Sequence, residues 1–436
     1  MRRPVNMSLR PAMLAVGGLV CAVLAAPAAH SATTAEVEAK LNALTSQVDE
    51  LRAELAQLKA QEAAASGKPL PPAAPAASAA ATATGAVASP LQWMGYGELN
   101  YSRPTDNVSA TTADVGRFVL GVTYAFDDRT KLVSEVEVEH AVSSADDPGE
   151  VEIEQAYIER QINNSMFAKA GLFLIPVGLI NENHEPTHYY GVFRNQVETQ
   201  IIPTTWREGG FELEGNTLGG LRWNAGITTG FNLSKWDATS TEGQQAPLGS
   251  IHQELALAAA DDLAQFVALN YTGIPGLRLG ASVFTGDAAQ GQPGFDNNRV
   301  TLWEAHARWN PGNWDLSALY SRGSISNTRD VNLTLVGNPT LIPESFFGWY
   351  VEAAYRANLA NDWTLSPFAR YEQLNTGSSY ATLAPGLTPD PPSDERIFTA
   401  GFNFGLARGV VFKLDYQHFE RDSTSSRFDL GIGYQF

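Results

Sequence analysis

The nine residues "FDLGIGYQF" at positions 428–436 decide the fold class of this chain. Every second residue is large and apolar, and the residues between them are aspartate, glycine or glutamine. Successive side chains of a β-strand point to opposite faces, so this strand has one apolar and one polar face. A strand of a membrane-spanning β-barrel requires an apolar outside and a polar inside. The segment therefore indicates a barrel strand.

The same alternation recurs along the chain, and its polar phase is repeatedly charged. Examples are "VVFKLDYQHF" (410–419), "FFGWYVEAAYRA" (346–357), "TLWEAHARW" (301–309) and "TKLVSEVEVEH" (130–140). A soluble β-sandwich also alternates, but it needs a second apolar layer for its core. The charged phase leaves no residues for that layer, so we predict an interior that is an aqueous channel rather than a packed core.

The alternating segments predict an all-β fold, a 16-stranded antiparallel transmembrane β-barrel over 91–436. Tryptophan and tyrosine near the strand ends fit interfacial girdles, although a soluble core would also contain aromatics. These aromatics are Trp93, Trp309, Trp314, Trp349, Trp363 and Tyr434. The predicted strands are 91–102, 116–126, 130–141, 150–161, 166–174, 208–215, 220–230, 264–273, 276–285, 298–309, 313–322, 347–358, 362–373, 396–406, 409–419 and 426–436.

Three segments precede the predicted barrel. Residues 1–31 read as a cleaved signal peptide, with basic residues, a short apolar run and small residues at the cleavage site. Residues 36–62 carry apolar residues at alternating spacings of four and three, which predicts a short periplasmic coiled-coil helix. A helix lying on its own barrel is the alternative, but it would need a broader apolar face. Residues 63–90 are an Ala/Pro-rich linker.

Composition excludes several classes of protein. The net charge of −18 argues against nucleic-acid binding, which requires a basic face. The single cysteine, Cys21, lies in the signal peptide, so the mature chain has no disulfide. After the signal, no segment approaches about 20 uninterrupted apolar residues, so a membrane role would require a barrel.

The segment His184-Glu185-Pro186-Thr187-His188 has the H-E-x-x-H spelling of a zinc-protease site. Two histidines four apart share a metal only on a helix. Pro186 opposes a helix there, because proline lacks an N–H and disfavours α conformation in the preceding residue. We therefore predict a loop and no metal or other cofactor.

Two segments resemble a known family, the phosphate-selective porin O and P family. "GLFLIPVG" (171–178) resembles its Gly-x-Phe-x-x-Pro-x-Gly strand end, and "SPFARYE" (366–372) resembles its late Pro-x-x-Arg-Tyr strand. The terminal "GYQF" resembles the ending that the outer-membrane insertion machinery reads at a final aromatic, here Phe436. The resemblance implies a homotrimeric porin in the lipid of the bacterial outer membrane, with an inward-folded loop narrowing each pore.

The segment 175–207 is the long stretch without alternation after the fifth predicted strand, where porins carry their constriction loop. It either narrows the pore or, alternatively, seals the mouth or contacts a neighbouring subunit. The candidate constriction residues are His184, Glu185, His188, Arg194, Glu198 and Arg207.

Arginines recur on the inward phase of the predicted strands, although 91–436 holds 22 basic against 41 acidic residues. They either form a ladder opposite an acidic wall or are each paired with a neighbouring carboxylate. These lumen-facing candidates are Arg117, Arg222, Arg278, Arg308, Arg356 and Arg370.

The sequence thus predicts a porin, not an enzyme, through which small hydrophilic solutes or ions diffuse passively, including anions such as phosphate. One alternative is a barrel-anchored adhesin or structural tether, suggested by the coiled coil and linker. Another is an outer-membrane hydrolase, which would need a Ser/His or paired-acid site at the rim.

Overall fold

A computed structural model describes residues 89–144 and 146–436. The predicted signal peptide (1–31), the coiled coil (36–62) and the linker (63–90) up to residue 88 lie outside the described residues. No helix in the described ranges is long and apolar enough to cross a membrane.

The described residues form one closed antiparallel sheet of sixteen strands, as predicted. Each strand pairs with its neighbours in sequence, and the last strand pairs with the first, with Gly97 opposite Tyr434. The strands are β1 Leu91–Pro104, β2 Thr112–Asp127, β3 Thr130–Glu139, β4 Val151–Asn163, β5 Met166–Leu174, β6 Arg207–Asn216, β7 Leu221–Thr229, β8 Leu263–Ile274, β9 Leu277–Asp287, β10 Arg299–Trp309, β11 Trp314–Ile325, β12 Ser345–Tyr355 with its continuation Ala357–Asn358, β13 Thr364–Ser379, β14 Glu395–Ala407, β15 Val410–Phe419 and β16 Arg427–Gln435.

Short turns join the strands at one end of the barrel, and longer loops join them at the other. A two-residue turn links β14 to β15, and Gly409 there has φ +79°, a conformation that favours glycine. The long loops carry the α-helices α1 (Glu242–Gln245) and α2 (Thr328–Leu335). Short 3₁₀ turns span Val108–Ala110, Leu233–Lys235, Gly249–Ile251, Ala360–Asp362 and Ser423–Ser425.

The two faces of the sheet separate by chemistry as the alternation predicts. In β16, Leu430 is 48% exposed on the outer face, whereas Asp429 beside it is 1% exposed on the inner face. In β15, Phe412 and Leu414 are likewise exposed, and Lys413 is buried. An exposed apolar band around a sheet with a polar inner face is the pattern of a membrane barrel.

Part of the interior is an apolar core, which corrects the expectation of an unpacked lumen. Inward side chains of neighbouring strands meet apolar side chains of the β5–β6 loop (175–206) and the β7–β8 loop (230–262). The aromatic centre of this core joins Trp206, Phe231 and Phe284, with ring centroids 4.5–5.4 Å apart. The strand contribution includes Phe173, Phe266, Phe284, Leu302 and Leu319. The alternating pattern does not reveal this core, because apolar residues there occupy both the outward-facing and the inward-facing positions of the strands.

Candidate pore loop and chambers

The β5–β6 loop (175–206), called the inner loop below, begins where Pro176 and Gly178 interrupt the fifth strand. Gly178 has φ +79°, which turns the chain out of the strand direction. Asn181 then ties the two ends of the loop together. Its Nδ2 donates to the carbonyls of Ile175 (2.7 Å) and Trp206 (2.8 Å), and its Oδ1 accepts from the Trp206 N–H (2.7 Å). The loop is thereby closed at its base.

Glu198 holds the interior of the inner loop. It lies in a short π-helical turn, Val197–Ile201, and is buried. Its Oε2 accepts from the N–H groups of Leu179 and Ile180, each at 2.8 Å, and its Oε1 accepts from the Tyr350 hydroxyl at 2.7 Å. Burial raises the pKa of Glu198. This carboxyl group therefore joins two parts of the loop to β12.

Inward side chains of the far strands receive the tip of the loop. The Tyr189 hydroxyl donates to Glu98 Oε2 on β1 at 2.7 Å. The Val192 N–H donates to Asp415 Oδ2 on β15 at 2.6 Å. The Gln196 N–H donates to Glu372 Oε2 on β13, also at 2.6 Å. None of these strands pairs with β5 or β6, and β13 lies seven strands from β6 and eight from β5 around the ring, so the loop runs across the lumen.

The His184–His188 segment is a turn, not a helix, and its two histidines have different partners. His184 is buried, and its Nε2 lies 2.6 Å from both the Tyr96 hydroxyl and Glu154 Oε1. His188 is partly exposed, and its Nδ1 lies 2.8 Å from Glu185 Oε2. That hydrogen bond raises the pKa of His188. The geometry that a zinc protease needs is not formed.

The six residues selected as constriction candidates are therefore not brought together. His188 and Glu185 form one pair, while His184 and Glu198 are buried in separate contacts. Two more candidates are paired away from them. Arg194 donates to the hydroxyls of Thr204 and Thr205, and Arg207, which begins β6, lies 2.6 Å from Glu152 and 2.9 Å from Glu254.

Two of the inward arginines are buried and form hydrogen bonds with carboxylates. Arg117 Nε donates to Glu98 Oε1 at 3.0 Å, and its Nη2 donates to the carbonyl of His184 at 3.1 Å. Arg370 Nε donates to Glu372 at 2.9 Å, and its Nη1 donates to Glu352 at 3.0 Å. These arginines connect strands to each other and to the inner loop.

Three further inward arginines also have carboxylate partners. Arg308 makes a bidentate contact with Asp315, at 2.8 and 2.7 Å. Arg356, at the break in β12, reaches the same carboxylate at 3.2 Å. Arg222 lies 2.7 Å from Glu182 of the inner loop. Among the described residues, five of the six candidate arginines are therefore paired with carboxylates and do not form an unpaired ladder. Arg278 is the candidate without a salt bridge.

The inner loop borders two chambers. The larger one, about 670 Å³, opens towards the short turns, and we call it the turn-side chamber. The smaller one, about 250 Å³, lies on the side of the long loops. Tyr189 lines both, and its ring faces Lys413 Nζ at 3.6 Å. Charged side chains of the smaller chamber are Glu98, Arg117, Glu139, Arg194 and Arg427.

The turn-side chamber has a one-sided charge. Within the described chain, the residues lining it include three arginines and a histidine but no carboxylate. These cationic residues are His188, Arg278, Arg308 and Arg356. Fields at a narrow site are set by nearby groups more than by net charge. The side chains that line this chamber are therefore cationic, and Asp315 and Glu185 behind them offset part of that charge.

Sequence reasoning missed the wall residues that hold the loop. Tyr96, Glu98, Glu154 and Asp315 all contact the inner loop or the arginines beside it. Their positions in the alternating strands, on the inward-facing side, could have predicted that they face the lumen. Their partners lie up to 125 residues away in the chain, as for Tyr190 and Asp315, and no local pattern encodes such a pair.

Comparisons with known proteins support the fold. No family model matches the chain. An uncharacterized protein of Aquifex aeolicus (strain VF5) is 29% identical over 331 residues, which is 74% of each chain. OmpF of Salmonella typhi, solved in complex with daunomycin, has a TM-score of 0.57 at 14% identity, covering 79% of this chain and 97% of its own. The outer membrane channel DcaP of Acinetobacter baumannii has a TM-score of 0.51 at 15% identity, with the same coverages. The chain therefore has the barrel fold of outer-membrane porins.

Proposed function

We propose that the protein is an outer-membrane channel for passive diffusion of small hydrophilic solutes and ions. The supporting observation is the inner loop, which lies inside a closed barrel and borders two chambers, both of them lined by Tyr189. A loop that narrows the lumen sets pore size and local charge. In this proposal the permeating solute passes Tyr189, which is the narrow point.

Planar-bilayer recording in KCl tests the channel. Tyr189→Ala removes a ring from the boundary between the chambers, so single-channel conductance should rise. Tyr101→Ala is the matched control, because Tyr101 lies on the exposed outer face and should leave conductance unchanged. A wild-type protein that inserts into the bilayer without conducting would refute the proposal.

We further propose that the channel prefers anions, phosphate among them. The cationic lining of the turn-side chamber supports this preference, despite the acidic composition of the whole barrel. Arg278 is the best residue to remove. It forms no salt bridge among the described residues, so its loss does not leave a carboxylate unpaired. Reversal potentials in a KCl gradient should show a lower anion preference for Arg278→Ala.

The control for that measurement is Arg329→Ala, an exposed arginine on α2. It has the same change of charge but lies away from the chamber lining. Equal shifts in both variants would indicate a general charge effect and would contradict a selective turn-side chamber. Added phosphate should reduce chloride current in the wild type if phosphate enters the same chamber.

We also propose a homotrimer in the outer membrane, inserted through the machinery that reads Phe436, with the 36–62 helix self-associating in the periplasm. The resemblance to porins and the heptad spacing support these points. Membrane fractionation and chemical crosslinking test location and subunit number.

Leu51→Asp with Leu55→Asp should abolish association of the 36–62 segment in sedimentation while the barrel still inserts.

A further inference from the structure

A buried cluster of His184, Glu135 and Glu154 lies where the inner loop meets the wall. One ligand-type atom from each of these residues lies within 4.8 Å of the others. Glu135 belongs to β3, Glu154 to β4 and His184 to the inner loop, so three separate segments converge here. All three side chains are buried.

A β-bulge directs Glu154 into the cluster. Glu135 pairs with Gln155 and Val136 pairs with Ile153, so Glu154 is the extra residue of β4. Bulges redirect a side chain at the cost of a ladder bond, and they often occur beside functional sites. Here the bulge brings a second carboxylate beside that of Glu135.

The hydrogen bonds of His184 define which ring nitrogen faces the carboxylates. Its Nδ1 lies 2.8 Å from the carbonyl oxygen of Asn181, which can only accept, so Nδ1 carries a proton. In a neutral imidazole Nε2 then has a lone pair, and the Tyr96 hydroxyl and Glu154 Oε1 each lie 2.6 Å from that nitrogen. A backbone carbonyl that fixes the distal N–H is the usual support of a metal-binding histidine.

The three side chains of the cluster include two buried carboxylates and no permanent cation. Glu154 is 0% exposed, and its Oε1 has no hydrogen-bond donor in the described structure. The Tyr96 hydroxyl carries one proton, and it lies 2.8 Å from Glu154 Oε2 as well as near His184. Glu137, also buried, has no hydrogen-bond donor at its Oε1, from which Arg117 Nη1 lies 3.9 Å away. Buried carboxylates require a cation or a proton between them.

We propose that His184 Nε2, Glu154 and Glu135 bind a divalent transition metal ion that fastens the inner loop to β3 and β4. One imidazole and two carboxylates suit zinc and its first-row neighbours. Bonds of about 2.0–2.2 Å hold tetrahedral ligands about 3.3 Å apart. His184 Nε2 and Glu154 Oε1 therefore move apart when the ion binds. His188 is not a ligand of this site. The proposal does not depend on the proposed channel activity.

The experiment uses untagged, full-length protein purified from membranes in detergent, stripped with EDTA and equilibrated with one equivalent of Zn²⁺. Metal analysis after gel filtration should find about one zinc per chain in the wild type and in the control His188→Ala. His184→Ala and Glu154→Gln should each weaken zinc binding by more than about 100-fold, which exceeds the loss from an outer-shell partner.

A second pair of measurements separates ligation from folding. His184→Cys supplies another zinc ligand, so it should recover binding that His184→Ala loses. Cobalt(II) should give visible d–d absorption in the wild type and in His188→Ala but not in Glu154→Gln. A wild type that binds no zinc would show that a proton bridges His184 and Glu154 and would overturn the proposal. Zinc binding unchanged by both His184→Ala and Glu154→Gln would overturn it as well.

Discussion

Some residues of the inner loop fix the path of its backbone, and others set the charge of the turn-side chamber. Gly178 and Glu198 belong to the path, because the glycine turns the chain and the buried carboxyl group receives two loop N–H groups. His188 belongs to the charge, because it is partly exposed and lines the turn-side chamber. Substitutions at the two kinds of residue should have separable effects on stability and on selectivity.

Gly178→Ala should destabilise the folded barrel for two reasons. Its φ of +79° is unfavourable for alanine, and the added Cβ would collide with the Glu198 carboxylate. We expect a loss of about 1–3 kcal/mol from the free energy of unfolding, measured by guanidinium titration in detergent. Gly312→Ala is the control, because φ there is +64° but no atom lies near the added Cβ. Equal losses in the two variants would refute the collision with Glu198.

The anion preference should rise as the pH falls through the pKa of His188. The hydrogen bond that His188 donates to Glu185 raises that pKa, so the imidazolium persists to higher pH than it would without this partner. Reversal potentials between about pH 5 and pH 8 should therefore show greater anion preference at the acidic end. His188→Ala should reduce this shift, and an unaltered shift in that variant would assign the titration to another group.

At the scale of elements, the inner loop is held by acceptor side chains from the opposite wall. Asp415 of β15 accepts the Val192 N–H, and Asn403 of β14 accepts the Gly191 N–H at 3.2 Å. The Asn403 amide also donates to the carbonyl of Tyr189 at 3.0 Å. Satisfying loop backbone groups in this way makes the crossing of the lumen stable.

Asp415→Ala should loosen the inner loop without preventing barrel formation. The buried Val192 N–H would lose its acceptor, which costs about 1–3 kcal/mol. Open-channel current noise should therefore increase in bilayer recordings. Asp287→Ala is the matched control, since Asp287 accepts a comparable N–H from Ala289 at 3.0 Å in another loop. Noise that increases equally in both variants would argue against a specific contact with the inner loop.

At the scale of the whole molecule, Phe436 extends the pairing of β1 with β16 that closes the barrel. The Phe436 N–H donates to the Gly95 carbonyl at 2.9 Å, and the Gly95 N–H donates to the Phe436 carbonyl at 3.1 Å. The Phe436 side chain is 66% exposed on the outside. The same residue therefore contributes to the closing ladder and presents an aromatic ring at the barrel surface.

Deleting Phe436 should reduce assembly in the outer membrane. The deletion removes the two backbone hydrogen bonds between Phe436 and Gly95 together with the terminal aromatic, so unassembled chain should accumulate in the periplasm and be degraded. Immunoblots of fractionated cells measure the loss. Phe436→Tyr keeps the backbone and an aromatic ring, and it should assemble normally. Wild-type amounts of the truncated chain in the outer membrane would refute this role.

The strands were predictable because lipid and lumen impose opposite demands on alternate residues. All sixteen predicted strands exist, and the largest disagreements lie at the long-loop ends. There β13 continues to Ser379 rather than to residue 373, and β2 begins at Thr112 rather than at residue 116. These extensions are rich in small and polar residues, so the apolar alternation that marks a membrane strand does not include them.

The sequence by itself determined the barrel, its strand number and the location of its long irregular loop, since a two-residue period is a local property that each segment carries. Only the tertiary structure decided what the loop contacts. Glu98 meets Tyr189 across 91 residues, and Asp415 meets Val192 across 223. Such pairs depend on barrel closure, which leaves no period in the sequence. The same closure packs an apolar core into part of the lumen and leaves the cationic chamber beside it.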